Sequence, residues 1–174
     1  MTHSNHKPSP HVIVIGAGIG GLTAAALLLS ASTACAGGLT TAQRAAVLIA
    51  LDDEYKAWTF YEVVMAKFGQ VKPFSTIQQA ETQHIAALSE VLSAKGYDVP
   101  QNPYMNGEMD KPVAPDSLAE ACAIGVEAEI ANAALYDEQV LPVVEGQAEL
   151  TRVFTSLRDA SENNHLPAFQ RCAE

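Results

Sequence analysis

The sequence predicts an all-α domain: four helices in two hairpins, joined by one long crossover and preceded by an apolar leader. Three observations predict it. Apolar residues recur at gaps of three and four in four separate stretches. Short connections join the first stretch to the second and the third to the fourth. A Pro- and Gly-rich stretch, residues 96–115, separates the two pairs. The 174 residues, 48% hydrophobic and 17% charged, suffice for one buried core but not for a complete flavin oxidoreductase. A net charge of −10 supplies no basic footprint for nucleic acid.

Residues 1–36 contain Lys7 and no acid, whereas all 20 acids lie in 37–174. This divides the chain into a leader, 1–36, and a body, 37–174. The run VIVIGAGIGGLTAAALLL at 12–29 is uncharged and reads in two principal ways. Gly16, Gly18 and Gly21 fit the G-x-G-x-x-G turn that cradles a dinucleotide, and the string resembles the first turn of FAD-dependent oxidoreductases. That turn needs an acid about 20 residues on to hold the ribose, but the first acid is Asp52, inside a helical pattern. The other reading is an export signal or N-terminal anchor: an apolar run followed by small residues, with an A-x-A site at Ala34 and Ala36. Cys35 adds a lipoprotein variant with a poor lipobox. Export is the preferred expectation.

The body opens on Thr40-x-x-Gln43, a capping box. A first helix over about 41–68 has the face Val47, Ala50, Leu51, Ala57, Trp58, Tyr61, Met65 and Phe68, and Gly69 stops it. Pro73 suits the first turn of a second helix with Ile77, Ile85, Leu88 and Leu92 on its face, and Gly96 ends it. The connection at 96–115 has no periodicity; extended, it could run about 60 Å, the length of a bundle. Ser117-x-x-Glu120 is a second capping box, starting a third helix that runs to about Leu141. A fourth starts near Gln147, with Leu150, Val153, Phe154, Leu157 and Ser161 on its face, and Pro167 should kink or end it. Two hairpins joined by a crossover between helices 2 and 3 form the ferritin-like four-helix bundle.

Both histidines of the body follow a glutamate by three: Glu81-x-x-His84 and Glu162-x-x-His165. Residues three apart on a helix share a face, so each pair can reach one metal centre. Carboxylate and imidazole donors suit iron or manganese. A bundle di-iron site adds one Glu from each of the other two helices. Glu54 lies on the apolar face between Leu51 and Trp58, where an unpaired carboxylate would be costly. On the third helix Glu127 and Glu129 compete. Tyr61 follows Glu54 by seven and Tyr136 follows Glu129 by seven, and this internal pattern favours Glu129. The two halves read as pseudo-repeats around a two-metal site. Glu162 points about 60° away from His165 on a regular helical wheel. The plain alternatives are core histidines bonded to Glu, core tyrosines rather than redox tyrosines at Tyr61 and Tyr136, and a solvated face at Asp52 and Asp53. Asn132 is either a neighbour of the ligands or an ordinary helix residue.

The segments LTTAQRAAVLIALDDEYKAW, AETQHI, GVEAEIANAALYD and NHLPAF resemble an uncharacterised prokaryotic ferritin-like domain-of-unknown-function family over about 39–172. More distantly, Glu54, Tyr61 and Glu81-x-x-His84 resemble the first half of ferritins and rubrerythrins. The resemblance implies metal-ligand roles for Glu54, Glu81, His84, Glu129 and His165, with Glu162 completing the set. Pro167 departs from the uninterrupted fourth helix of ferritins.

Cys122 falls near the start of the third helix and Cys172 near the end of the fourth. Those ends meet in an antiparallel hairpin, so a disulfide is expected, and an exported protein would allow it. The functional expectation is an exported, periplasmic, extracellular or membrane-anchored metal protein: a non-haem di-iron oxidoreductase that oxidises Fe(II) or reduces peroxide or O₂. Manganese is the alternative metal. Metal ions and the oxidant are the expected partners, and the leader allows membrane anchoring; monomer and homodimer both stay open. The competing readings are a metal-free helical interaction module and a flavin-binding fragment using Gly16–Gly21.

Overall fold

The computed structural model describes residues 38–174; the leader with its glycine turn, A-x-A site and Cys35 lies outside the described residues. Every regular element among the described residues is helical. None of these helices is long and apolar enough to cross a membrane.

Helix α1, Thr41–Phe68, starts on the Thr40 capping box. The Gln43 N–H donates to Thr40 Oγ1 at 3.2 Å, and the Thr40 N–H donates to Gln43 Oε1 at 3.0 Å. It ends at Gly69, whose φ of 86° would strain any residue with a side chain. Helix α2, Phe74–Ala94, returns along α1 after a five-residue connection, 69–73, that ends in Pro73. The chain from 96 to 115 is tied to α1 at several points. Tyr55 donates to the Pro100 carbonyl at 2.9 Å, and Asn102 Nδ2 donates to Thr59 Oγ1 at 3.0 Å. Tyr104, buried, donates to Asp52 Oδ2 at 3.3 Å. The stretch is aperiodic apart from a one-turn helix, α3, Pro103–Asn106, capped by Asn102.

Helix α4, Leu118–Leu135, is capped by Ser117, but the expected reciprocal bond shifts by one residue. Glu120 accepts from the Asp116 N–H at 3.2 Å rather than from Ser117. The helix then widens into a π turn, Tyr136–Val140, and tightens into a 3₁₀ turn, Leu141–Val144. Helix α5, Ala148–Ala160, does not end at the proline either. It widens into a second π turn, Ser161–His165, and continues as α6, Leu166–Ala173. Each π turn is followed by proline at the same offset, Pro142 and Pro167. A proline has no N–H to donate and its ring collides with the carbonyl four residues back, and the wider turn absorbs both problems. The residue before each proline bonds five back: Leu141 N–H to Tyr136 O and Leu166 N–H to Ser161 O.

Two apolar clusters form. Leu51, Leu88, Leu92, Leu135, Tyr136, Phe154 and Leu157 belong to one. Phe60, Tyr61, Phe74, Ile77, Cys122 and Phe169 belong to the other. Cys122 and Cys172 are disulfide-bonded with Cα atoms 5.6 Å apart, which ties the short α6 to the start of α4. Phe169 lies flat on Gly125 of α4, where a Cβ would meet its ring at 2.6 Å. On every long helix a polar, buried position separates residues of the first cluster from residues of the second.

Candidate metal centre

Those polar positions converge. Glu54 of α1, Glu81 of α2, Glu129 of α4 and His165 of the second π turn are each at most 4% exposed, and His84 of α2 stands beside them. They form two triads that share one residue: Glu54, Glu81 and His84, then Glu81, Glu129 and His165. Within each triad the donor atoms lie within 4.8 Å of one another. His84 Nδ1 is 2.9 Å from Glu81 Oε2 and 3.2 Å from Glu54 Oε2. His165 Nδ1 is 3.3 Å from Glu81 Oε1 and 3.5 Å from Glu129 Oε2. Glu81 therefore turns one oxygen to each histidine, and the two imidazoles stack with centroids 5.6 Å apart.

The two tyrosines cross between the halves. Tyr61 of α1 donates to Glu129 Oε1 at 2.8 Å, and Tyr136, at the end of α4, donates to Glu54 Oε1 at 2.8 Å. Each tyrosine thus orients the carboxylate of the opposite helix, leaving that carboxylate's second oxygen for the triad. The seven-residue Glu–Tyr spacing on both helices makes the exchange reciprocal. Glu127, the competitor of Glu129, is not among the residues of either triad.

Glu162 does not join the cluster, which corrects its place in the expected ligand set. It is exposed and accepts from Arg158 Nη1 at 2.9 Å. The π turn adds to this: its slower angular advance widens the angle between residues three apart beyond the roughly 60° of a regular helix, which carries Glu162 further outward, while Ser161 and His165, four apart, stay buried on one face. Ser161 instead donates to Asn132 Oδ1 at 2.6 Å, and Asn132 Nδ2 donates to Asp53 Oδ2 at 2.6 Å. Asp53 was expected on a solvated face. It is half-buried in this chain of bonds and borders a cavity of about 20 Å³ together with Glu54, Glu81, Glu129 and Ser161. The sequence signal for this group was weak, since an Asp beside a buried Glu and a Ser beside a motif Glu are both common on helix surfaces.

Among the described residues no Lys or Arg pairs with any of the five clustered groups. Protons therefore supply the positive charge. Burial and the nearby Glu81 charge push Glu54 up to about 8, while Glu81 itself is held below its ordinary value: burial would raise it, but bonds from Glu54, His165 and His84 outweigh that. Burial would also lower both histidines, yet the facing carboxylates win and raise His84 to about 10 and His165 to about 9. Burial raises Asp53 to about 6 despite the Asn132 bond. Tyr61 and Tyr136 are pushed well above the usual phenol range by burial and by the carboxylates, so both remain donors.

The donor set fits a pair of divalent cations. It offers three carboxylates and two imidazoles, the mixture favoured by iron, manganese and zinc, and it provides one shared carboxylate. His165 Nδ1, buried, has the Glu81 and Glu129 oxygens at 3.3 and 3.5 Å, so its ring nitrogen and both carboxylates face one point.

Set against protein-family models, curated proteins and solved structures, the chain matches none.

Proposed function

We propose that the body is a ferritin-like four-helix bundle that holds a dinuclear non-haem metal centre, with iron as the metal and manganese as the alternative. The single observation that carries this reading is Glu81, whose two oxygens face two histidines that each have a further carboxylate of their own. Glu54 and His84 would complete one position, Glu129 and His165 the other, and Glu81 would serve both. When bound, an iron pair supplies electrons to O₂ or peroxide, and Fe(II) oxidation or peroxide reduction is the proposed chemistry.

The chain's own residues prepare the site for such a pair. Tyr61 and Tyr136 hold the two terminal carboxylates through one oxygen each. The apolar clusters on either side exclude water and strengthen the electrostatics of the donors. Glu54, His84 and His165 hold protons in the metal-free chain, and these residues would have to give them up to serve as ligands, which would keep the buried charge balanced. The Asp53–Asn132–Ser161 chain borders the carboxylates where Glu162 would otherwise stand. Its cavity has room for about one water-sized molecule, which gives an oxidant or solvent an approach that a protein ligand would close. Export is proposed with this reading, on the leader's composition and on the Cys122–Cys172 bond, which suits an oxidising compartment.

A metal-free interaction module is the second reading. The bonds of His84 to both Glu54 and Glu81 favour it, because that histidine is satisfied without a cation. Three buried carboxylates with no Lys or Arg paired to them among the described residues speak against it.

Anaerobic loading of the full chain with Fe(II), followed by elemental analysis before and after exposure to air, separates the two. Two irons per chain and a new near-ultraviolet absorption in air are expected. A chain that keeps its helical content and retains no iron would overturn the metal reading.

A further inference from the structure

A groove of about 640 Å³ opens between the start of α2 and α6 and is lined in part by His165. Its size falls in the range of small-molecule sites, about 300–1,000 Å³. Ile77 and His165 are its buried lining residues; Pro73, Ala80 and Ala168 add apolar lining. Alanines at 80 and 168 leave the space that larger side chains would fill.

The charges around this groove are unusual for the molecule. The chain has 20 acidic residues and a net charge of −10, yet no carboxylate lines the groove. Its rim carries Lys72 and Arg171, both exposed, and neither forms an ion pair among the described residues. Arg171 precedes Cys172, whose disulfide to Cys122 ties the backbone at this end of α6 to α4. An apolar slot lined by two cations and no carboxylate matches an apolar body with one anionic end.

We infer that this groove binds a small amphipathic monocarboxylate, its carboxylate between Lys72 and Arg171 and its aliphatic chain directed inward toward Ile77 and His165. The inference goes beyond the metal reading and does not depend on it, because every residue invoked is in place without a cation. It adds a second kind of ligand to the protein, seated next to one histidine of the proposed centre.

The test is a calorimetric titration of the metal-free full chain, disulfide intact, with octanoate, acetate and octylammonium. Saturable one-to-one binding of octanoate is expected, with acetate at least about tenfold weaker for want of a chain to bury. Octylammonium should not bind. Lys72→Gln and Arg171→Gln should each weaken octanoate by roughly fivefold, the scale of one exposed charge pair, and Ala168→Trp should abolish binding by filling the slot. Circular dichroism of each variant checks that the helices persist, and Ala80→Trp provides a second filling variant from the opposite wall should Ala168→Trp unfold. Octylammonium binding as tightly as octanoate, octanoate indifferent to both charge removals, or no saturable octanoate binding to the wild-type chain would each overturn the inference. Iron content plays no part in the readout, so failure here and failure of the metal centre remain separate results.

Discussion

The two Glu-x-x-His segments are identical in spacing and opposite in outcome. Glu81 and His84 stand on an uninterrupted α-helix, and both reach the cluster. Glu162 and His165 stand in a π turn, and only the histidine does. The difference traces to Pro167, two residues past the second segment, for which the first has no counterpart; Leu88 and its neighbours continue α2 without interruption. A motif therefore specifies a face only together with the helical pitch beneath it. Where the pitch widens, Ser161 takes the inward position and the carboxylate goes to Arg158. The consequence is an asymmetric centre, in which Glu81 alone is shared while the tyrosine exchange around it stays symmetric.

The largest expected effect breaks this comparison directly. Glu81→Ala should remove both iron positions, while Glu162→Ala should leave about two irons per chain and cost no more than the ~0–1 kcal/mol typical of an exposed pair. Elemental analysis of the two variants side by side decides it. If Glu162→Ala loses half the metal, the π turn does not hold Glu162 outward in the loaded protein.

Metal-free and loaded protein should respond to pH in opposite directions. The raised folded values of Glu54, His84 and His165, about 8, 10 and 9 against ordinary values of 4.5, 6.5 and 6.5, mean that the folded metal-free chain binds protons the unfolded chain has released. Their contribution to stability is fully present below the unfolded values. It is lost as pH rises through the folded ones. The metal-free Tm should therefore fall between about pH 7 and pH 10, whereas iron affinity should rise over the same interval because fewer protons must be displaced. Thermal melts and competitive titrations at stepped pH check both slopes. A metal-free Tm that climbs across that window would contradict the protonated cluster.

Gly125→Ala probes the second hairpin alone. Its Cβ would press on the buried Phe169 ring, and neither the ring nor the disulfide-tied α6 has room to retreat. A loss of about 1–3 kcal/mol in chemical denaturation is expected; an unchanged midpoint would mean that α6 is looser than its packing implies. The last pair of variants sharpens the symmetric part. Tyr61→Phe and Tyr136→Phe each delete one buried hydrogen bond to a carboxylate, at about 1–3 kcal/mol. The two costs should agree closely, and a large inequality would show that the tyrosine exchange is not the balanced pair its distances suggest.

Much of this was legible before any coordinates. Periodicity and punctuation placed the helices, because an apolar stripe every three or four residues and a glycine or capping box at each end leave few other conformations. Glu54 was legible as an acid on an apolar face and Glu81 as the glutamate of Glu81-x-x-His84, and the repeated Glu–Tyr interval pointed to Glu129 over Glu127. The one-turn helix α3 was not legible, since four residues are too few to show a period. Nor was the group formed by Asp53, Asn132 and Ser161. Each of these residues is ordinary on its own helix and acquires its meaning from a partner on another.

The sequence by itself determined where the apolar faces of the helices lie, and it marked Glu54, Glu81, His84, Glu129 and His165 as one set, with Glu162 wrongly added. Local sterics and apolar burial act over one or two turns, so they can be read in order along the chain. Only the tertiary structure decided that Glu81 faces both histidines, that each tyrosine serves the other half, and that Glu162 pairs with Arg158 outside the cluster. Those outcomes depend on helix phase and crossing, and packing across four helices sets both at once.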